Sequence, residues 1–314
     1  MIAQNTIKRM CQVYGPVPSR RLGRSLGIDL VPFKACTYDC IYCQLGRTTH
    51  KTIQPGEWTS VDEIVKNVQD RLDSAPDTIT LAGSGEPTLF SGMGALIARL
   101  KEITTVPIAV ITNGSLLWKP EIRKCLMHAD LVIPSLDAGS AYLYKYINRP
   151  HRQIPFDKML KGLIQFRQEF TGEYWLEVMI LAGVTTTTAE VGHLAQCIEQ
   201  IGPDKVQVNS VARPPCESFA TAVPENQLEQ IARELYYNVE VIMDYVPSAE
   251  PLSTSEPQKE EIMALLRRRP CSLKDIASGL SLHPQEVAKI LTQLTRLGQV
   301  QTRHQNTGSF YVLS

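Results

Sequence analysis

Strand-like and helix-like segments alternate along most of this 314-residue chain, and this alternation constrains the fold more than any other feature of the sequence. Short apolar runs rich in valine and isoleucine are followed by longer segments in which apolar residues recur at helical spacing. The predicted strands are residues 26–31, 78–82, 107–112, 130–134, 174–181 and 205–209. The predicted helices are residues 60–72, 89–100, 119–127, 156–169, 187–201 and 225–236. Fewer repeats than the eight of a closed barrel favour an α/β fold with a parallel sheet, an open, partial (β/α)6 TIM-like barrel.

Polar and glycine-rich loops follow four of the predicted strands, at residues 82–88, 112–115, 135–138 and 209–215. In parallel βα folds, ligands bind at the carboxyl ends of the strands, so these loops are expected to meet at one end of the barrel. Glycine allows a ligand to approach the backbone closely, and a glutamate can pair with an ammonium group. Each loop alone is also explained as an ordinary turn. The candidate ligand-binding residues are Gly83, Ser84, Gly85, Glu86, Asn113, Ser135, Asp137 and Asn209.

Residues 14–25, ahead of the first predicted strand, combine glycine, proline and a group of arginines. This composition predicts a loop. Arg20, Arg21 and Arg24 are candidates for binding phosphate or carboxylate groups, because a guanidinium group matches both geometries. A solvated basic loop explains them equally well.

Cys36, Cys40 and Cys43 are separated by three and then two residues. Three thiolates in one loop can hold three irons of a four-iron cluster and leave the fourth iron open to a small molecule. The alternatives are a zinc site or three buried thiols. Structural zinc usually takes four protein ligands, often as two cysteine pairs, and no second pair follows. Lys34, just before this loop, could tune a cluster or touch substrate, but we expect it to be exposed.

The pattern C-x3-C-x-aromatic-C at residues 36–43 resembles the signature of the radical S-adenosylmethionine (SAM) superfamily. This resemblance implies a [4Fe–4S] cluster on Cys36, Cys40 and Cys43, whose open iron binds the amino and carboxylate groups of SAM. It also implies reductive cleavage of SAM to methionine and a 5′-deoxyadenosyl radical, with Tyr42 against the adenine. A reductase, ferredoxin or flavodoxin is the implied electron donor.

The segment Gly-Ser-Gly-Glu-Pro at residues 83–87 resembles the Gly-Gly-Glu motif of the same superfamily, with Ser84 in place of one glycine. The resemblance implies that Gly85 and Glu86 contact the methionine part of SAM, whereas Asn113, Ser135 and Asp137 face its ribose. Residues 83–88, 112–115 and 213–215 look most like the group that contains the wyosine-type tRNA synthases. Those enzymes carry a second cysteine-bound cluster, and no second set of three cysteines occurs here. Cys11 and Cys216 could meet near the barrel mouth, although two ligands would leave such a site incomplete.

A second, smaller unit is predicted after the barrel, which we place at residues 1–245. Residues 246–258 are rich in proline and serine and predict a linker. The unit that we place at residues 259–314 is predicted to contain three helical segments, at about 258–268, at 272–280 and from 281 or 283 to 297. Two strands are predicted at 299–303 and 309–313. This order resembles a winged helix-turn-helix domain. Its candidates for phosphate contact are Arg267, Arg268, Arg269, Lys274, Lys289, Arg296 and Arg303.

The net charge of +0 predicts no global field that would attract nucleic acid or membranes. We expect no signal peptide, no membrane span and a reducing compartment, the cytoplasm, in which the scattered cysteines mostly serve packing. The sequence thus predicts an iron–sulfur oxidoreductase that modifies a macromolecule held by the C-terminal unit, with RNA favoured over a protein or peptide. A dimerisation role for that unit stays open. The non-enzymatic alternative is a zinc-bearing protein that binds nucleic acid.

Overall fold

The computed structural model describes residues 13–242, 259–280, 282, 284–305 and 308–314. Two structural units are present, one before residue 243 and one after residue 258. The strands of the first unit are β1 (Val13–Ser19), β2 (Gly23–Asp29), β3 (Ala35–Cys36), β4 (His50–Lys51), β5 (Thr78–Ala82), β6 (Ile108–Thr112), β7 (Leu131–Pro134), β8 (Glu173–Met179), β9 (Lys205–Asn209) and β10 (Val239–Val241). Its helices are α1 (Val61–Gln69), α2 (Met93–Ile103), α3 (Pro120–Leu126), α4 (Ala141–Asn148), α5 (Phe156–Glu169), α6 (Thr188–Ile201) and α7 (Glu225–Leu235).

Eight strands form the main sheet in the order β1-β2-β5-β6-β7-β8-β9-β10. Every neighbouring pair from β2 to β10 is parallel, and only β1 runs antiparallel to β2. Helices cover the sheet between successive parallel strands, as this connection requires. The protein therefore has the predicted α/β fold with a mostly parallel sheet, a partial TIM-like barrel in which β1 and β10 form the edges.

The central strands are buried because their residues are apolar on both faces, as parallel strands covered by helices require. Ile79 and Leu81 of β5 and Val110 of β6 are fully buried. The helices have defined ends: the Thr187 side chain accepts a hydrogen bond from the Glu190 N–H at the start of α6. Gly202 ends the same helix in the left-handed conformation that glycine adopts most readily.

Strand β1 corrects the sequence-based prediction of a loop over this segment. Val13–Ser19 pairs with β2 through a register that shifts between Tyr14 and Val17. The irregular register explains the error, because prolines and glycines are tolerated at an edge strand that contains such a shift. Helix α4 and strand β10 were also missed. Helix α4 is short and aromatic, and its stability comes from burial of Tyr144 and Ile147.

The second unit contains α8 (Lys259–Arg268), α9 (Leu273–Gly279), α10 (Pro284–Arg296), β11 (Val300–Gln305) and β12 (Gly308–Leu313). Strands β11 and β12 form an antiparallel hairpin, and the three helices share a separate apolar core with it. Ser272 and Asp275 form a reciprocal capping box at the start of α9. The predicted linker at residues 246–258 lies outside the described residues, so the domain boundary and the winged-helix class remain predictions.

Cationic side chains contribute contacts between the second unit and the first. The Arg213 guanidinium lies 3.1 Å from the Asp275 carboxylate of α9. The Arg268 guanidinium lies 3.3 Å from the centre of the Tyr14 ring, a cation–π contact. Among the described residues, we find no helix with the length and apolar character to span a membrane.

Candidate active site

The three motif cysteines lie on a loop that the barrel holds by backbone hydrogen bonds. The Asp39 N–H donates to the Asn148 carbonyl at 3.0 Å, and the Ile41 N–H donates to the Ile147 carbonyl at 2.9 Å. Thus the end of α4, which the sequence did not predict, supports the cysteine loop. A fully buried Thr37 adds a side-chain anchor, because its hydroxyl lies 2.8 Å from Asn113 Nδ2 and 2.7 Å from Ser115 Oγ.

The loop after β5 lies directly against the cysteine loop. The Glu86 N–H donates to the Ala35 carbonyl at 3.0 Å, and the Lys34 N–H donates to the Ser84 carbonyl at 2.7 Å. A side chain at Gly85 would clash with the Ala35 carbonyl oxygen. This close approach is the structural reason for a glycine in the middle of the motif.

Each motif cysteine has a different side-chain hydrogen-bond donor. Asn113 Nδ2 lies 3.6 Å from Cys36 Sγ, and Asn148 Nδ2 lies 3.5 Å from Cys40 Sγ. The Lys34 ammonium lies 3.0 Å from Cys43 Sγ. These donors would stabilise sulfur atoms that carry negative charge, as thiolates do when they bind iron.

Burial raises the pKa of the Cys36 thiol to about 12 and also raises the pKa of the Cys40 thiol. Without metal, both groups are therefore neutral thiols at ordinary pH. Among the described residues, no group of three or more His, Cys, Asp or Glu side chains is arranged to hold a metal ion. A four-iron cluster needs no such convergence on one ion, because each cysteine binds a different iron. Three separated thiols with separate donors fit a cluster of this kind.

The Glu86 carboxylate is buried and accepts four hydrogen bonds. Its Oε1 atom accepts from the Thr88 N–H at 3.0 Å, the Thr88 hydroxyl at 2.6 Å and the Thr112 hydroxyl at 2.5 Å. Its Oε2 atom accepts from the Asn113 N–H at 2.8 Å. Burial raises the pKa of this carboxyl group, while these hydrogen bonds oppose that shift. Oε2 is the oxygen with acceptor capacity left for a ligand.

Tyr42 and Asp137 are joined directly. The Tyr42 hydroxyl donates to Asp137 Oδ2 at 2.5 Å, and Asn148 Nδ2 donates to the same oxygen at 2.6 Å. The Met179 N–H donates to Asp137 Oδ1 at 3.3 Å. Asp137 is buried, so its carboxylate orients Tyr42 and α4 rather than standing open to solvent.

The remaining candidates are placed at the same end of the sheet. Ser84 is buried, and its hydroxyl and N–H both donate to the Asp29 carboxylate. Ser135, which follows β7 directly, forms a parallel bridge with Glu177 of β8. Asn209 Oδ1 is buried and has no hydrogen-bond partner among the described residues. Such an acceptor is costly unless a ligand or water satisfies it, so Asn209 is well placed to contact a bound molecule.

The prediction that Lys34 is exposed is wrong, because this side chain is only 3% exposed in the structure. Asp29 and Asn148 were not recognised from the sequence as part of this site, and Thr112, although it lies in the predicted loop at residues 112–115, was not among the candidate ligand-binding residues. The position of Asp29 at the end of β2 is the one signal that could have indicated it, by the same strand-end argument used for Glu86. Arg24 lies away from the motif loops, and its guanidinium donates to the Ser74 carbonyl at 2.8 Å.

Burial raises the pKa of the Asp137 carboxyl from its usual 3.8 to about 6. The folded protein therefore holds this proton more tightly than the unfolded chain does. This contribution to stability is present below about pH 4 and is lost as the pH rises through about 6. Relative to an Asp137→Asn variant, metal-free wild-type protein should lose up to about 3 kcal/mol of unfolding free energy over this range.

Urea denaturation of the two metal-free proteins at about pH 4.5 and about pH 7.5 should show about 2 kcal/mol of this loss, because the carboxyl of the unfolded chain is already mostly ionised at pH 4.5. The asparagine variant has its own fixed offset from lost hydrogen bonds, so the change of the difference with pH is the diagnostic quantity. A difference that stays constant between the two pH values would contradict the assignment of this proton to Asp137.

Comparison with known proteins agrees with this geometry. Residues 30–195 match the family model of the Radical SAM superfamily. A Brachyspira hyodysenteriae protein described as GTPase Obg is 40% identical over 294 residues, which are 92% of this chain but 43% of that protein. A UPF0026 protein of Methanocaldococcus jannaschii is 39% identical over 67% of this chain and 66% of its own length. A UPF0026 protein of Helicobacter pylori strain J99 is 31% identical over 90% of this chain and 91% of its own length.

Solved structures show the same fold at low sequence identity. Streptococcus suis SuiB bound to SAM superposes with a TM-score of 0.52 at 14% identity, covering 68% of this chain and 50% of SuiB. A radical SAM methyltransferase from Sphaerobacter thermophilus superposes with a TM-score of 0.53 at 18% identity, covering 69% of this chain and 65% of the methyltransferase. The family match, the cysteine loop and the parallel barrel agree on one conclusion. This chain belongs to the radical SAM superfamily, an enzyme family whose cofactors are a [4Fe–4S] cluster and SAM.

Proposed function

We propose that this radical SAM enzyme modifies an RNA, and that the reacting part of the RNA enters a chamber between the barrel and the C-terminal unit. The chamber has a volume of about 630 Å³, within the usual range for pockets that enclose a ligand. Gly83 and Ser84 of the motif loop line one part of it, and residues of α8, α9 and β12 line another. This shared wall is the observation that carries the proposal.

The chamber is strongly basic although the whole chain has a net charge of +0. Among the residues that the structure describes, only two acidic side chains line the chamber, and each forms an ion pair: Glu177 with Arg21 and Asp275 with Arg213. The cationic side chains in its lining are Arg20, Arg21, Arg213, Arg268, Arg269 and Lys274. An excess of guanidinium and ammonium groups in a partly enclosed space favours phosphate or carboxylate ligands.

Within the motif loops, the residues of the chain have distinct proposed roles. When bound, the cluster supplies the electron that cleaves SAM. Cys36, Cys40 and Cys43 would hold it, while Glu86 Oε2 and Asn209 Oδ1 would accept hydrogen bonds from the N–H and O–H groups of SAM. Tyr42 is held by Asp137 for contact with the adenine. The C-terminal unit excludes water from the chamber, which protects a reactive species from side reactions.

A weaker similarity also supports a phosphate-bearing substrate. A Methanococcus maripaludis protein described as a probable GTP 3′,8-cyclase is 33% identical over 125 residues, or 40% of each chain. The similarity covers less than half of either protein, so we transfer only the chemical class, a phosphorylated nucleotide. Membership of the wyosine-synthase-like group, which modifies tRNA, and assignment of the C-terminal unit as a winged helix belong to the same hypothesis. We also propose a reductase, ferredoxin or flavodoxin as the electron donor.

A protein or peptide substrate is the second candidate, because one SuiB structure with this fold holds a precursor peptide. Salt dependence distinguishes the two classes. Lys and Arg contacts to phosphate release counterions, so RNA affinity falls steeply with salt. An apolar peptide contact would be nearly insensitive to salt.

Filter retention of bulk cellular RNA by the full-length protein tests the proposal. The double variant Arg269→Gln/Lys274→Gln should bind RNA at least about tenfold more weakly, because each removed cation loses a charge-assisted hydrogen bond. If both side chains contact phosphates of single-stranded RNA, the slope of the logarithm of the RNA binding constant against the logarithm of salt concentration should become shallower by about 1.4. The matched control is Lys289→Gln/Arg296→Gln, which removes two exposed cations of α10 that do not line the chamber.

Equal weakening by the chamber variant and the α10 variant would contradict binding in the chamber. Absence of RNA binding by wild-type protein at low salt would contradict the RNA hypothesis itself. Peptide binding that does not change with salt would support the second candidate. Circular dichroism and thermal unfolding verify that both double variants are folded.

A further inference from the structure

Lys34 is the only buried lysine among the described residues, and its ammonium contacts a sulfur of the cluster loop. The side chain is 3% exposed. Its Nζ atom lies 3.0 Å from Cys43 Sγ. A buried ammonium group is costly unless a partner accepts its hydrogen bonds, and the partner here is a ligand of the cluster.

The backbone holds this lysine in an unusual conformation. Its φ angle is +60°, a value that residues with a Cβ atom rarely adopt. The Lys34 N–H donates to the Ser84 carbonyl at 2.7 Å, and its carbonyl accepts from the His50 N–H at 3.2 Å. The residue is therefore fixed between the motif loop and β4, and its side chain is directed to the cysteine loop.

A cation in this position has a predictable effect on an iron–sulfur cluster. Reduction adds one negative charge to the cluster, so a nearby ammonium stabilises the reduced form more than the oxidised form. Hydrogen bonds to the sulfurs and net charge are established determinants of cluster potential. Burial strengthens the effect, because the local dielectric constant is lower than in water.

We propose that Lys34 sets the reduction potential of the cluster by donating a charge-assisted hydrogen bond to Cys43 Sγ. One electron enters the cluster from an external donor, and no bond or proton at Lys34 changes in this step. The ammonium raises the reduction potential of the cluster, so that donor reduces it more readily. The inference requires the cluster that the family assigns, but it does not depend on the RNA hypothesis.

Redox titration of the anaerobically reconstituted full-length protein, followed by electron paramagnetic resonance, tests this proposal. Lys34→Met removes the charge and keeps a side chain of similar length, so the backbone cost at this position is unchanged. We expect the reduction equilibrium to shift by about tenfold toward the oxidised cluster, which is a potential about 59 mV lower for one electron. Lys34→Arg keeps the positive charge, so its potential should lie close to that of the wild type.

Lys51→Met is the matched control. Lys51 lies on β4, is exposed and donates to the Arg149 carbonyl. The substitution therefore removes one charge close to the cysteine loop from a side chain that does not contact a cysteine. Its potential should equal that of the wild type. An unchanged potential in Lys34→Met, or an equal shift in Lys51→Met, would overturn the proposal. So would an unchanged potential combined with weaker SAM binding, which would assign the ammonium to SAM instead.

Loss of the cluster in a variant is also informative. If Lys34→Met assembles no cluster but Lys34→Arg does, a cation beside Cys43 is required, which supports the charge-assisted hydrogen bond to Cys43 Sγ on which the proposal rests. If neither variant assembles a cluster, the lysine shape rather than its charge is needed, and the proposal is overturned.

Discussion

Replacement of Cys40 by alanine is expected to abolish both the cluster and SAM cleavage. Cys40 is one of the three thiols that we propose as ligands of separate irons, and two thiolates do not hold a [4Fe–4S] cluster stably. SAM cleavage should fall to background, a loss of at least about three orders of magnitude, since enzymes typically exceed uncatalysed rates by about 10⁶-fold or more. Iron analysis and visible absorbance measure the loss of the cluster, and 5′-deoxyadenosine formation measures the loss of SAM cleavage on the same sample.

Cys125→Ala is the matched control for this prediction. Cys125 is half-buried beside Gly94 of α2 and takes no part in the motif loop. This variant should keep its iron and its activity. A Cys40→Ala protein that still cleaved SAM would contradict the assignment of the cluster to the three motif cysteines.

Glu86→Gln is expected to weaken SAM binding while the iron content stays at the wild-type level. The three donors around Oε1 will select the carbonyl oxygen of the glutamine, because an amide NH₂ cannot accept hydrogen bonds. The NH₂ group then replaces Oε2, so the hydrogen bond from the Asn113 N–H and the proposed acceptor for the SAM ammonium are both lost. Loss of a hydrogen bond to a charged group costs about 1.5–3 kcal/mol, so affinity should fall by about 10- to 150-fold.

Glu86→Ala should behave differently from the glutamine variant. It leaves the donors of Thr88, Thr112 and Asn113 without their acceptor, and each unsatisfied buried group costs about 1–3 kcal/mol. We therefore expect it to lower the unfolding temperature as well as SAM affinity. Anaerobic calorimetry with parallel iron analysis separates the two variants. Loss of iron in Glu86→Gln would show that the carboxylate is needed for structure and not for SAM selection.

The parts of the fold that the sequence predicts best are those whose stability is local or periodic. The bounds of β5, α5 and β9 match the predicted ranges, because each is an apolar run or an amphipathic helix with clear ends. Strand β1 was missed, since its pairing depends on β2 and on a shifted register that no local pattern contains. Helix α4 depends in the same way on burial of its aromatic face.

The candidate site shows the same division between local pattern and tertiary contact. The cysteine spacing and strand-end loops identified residues that the fold brings to one end of the sheet. The sequence did not reveal that Glu86 links Thr88, Thr112 and Asn113, because these contacts join separate strand-end loops. The burial of Lys34 follows from a left-handed backbone conformation and from the approach of the Ser84 loop. Neither is visible as a pattern of residue types.

The most direct test of the central claim is the reaction of the wild-type protein with SAM. Protein reconstituted without oxygen should contain about four irons per chain, as a [4Fe–4S] cluster requires. With a strong reductant such as dithionite, it should convert SAM to methionine and 5′-deoxyadenosine, which chromatography and mass spectrometry identify. Protein that retained zinc without iron, or an intact cluster that produced no 5′-deoxyadenosine from SAM, would contradict the account.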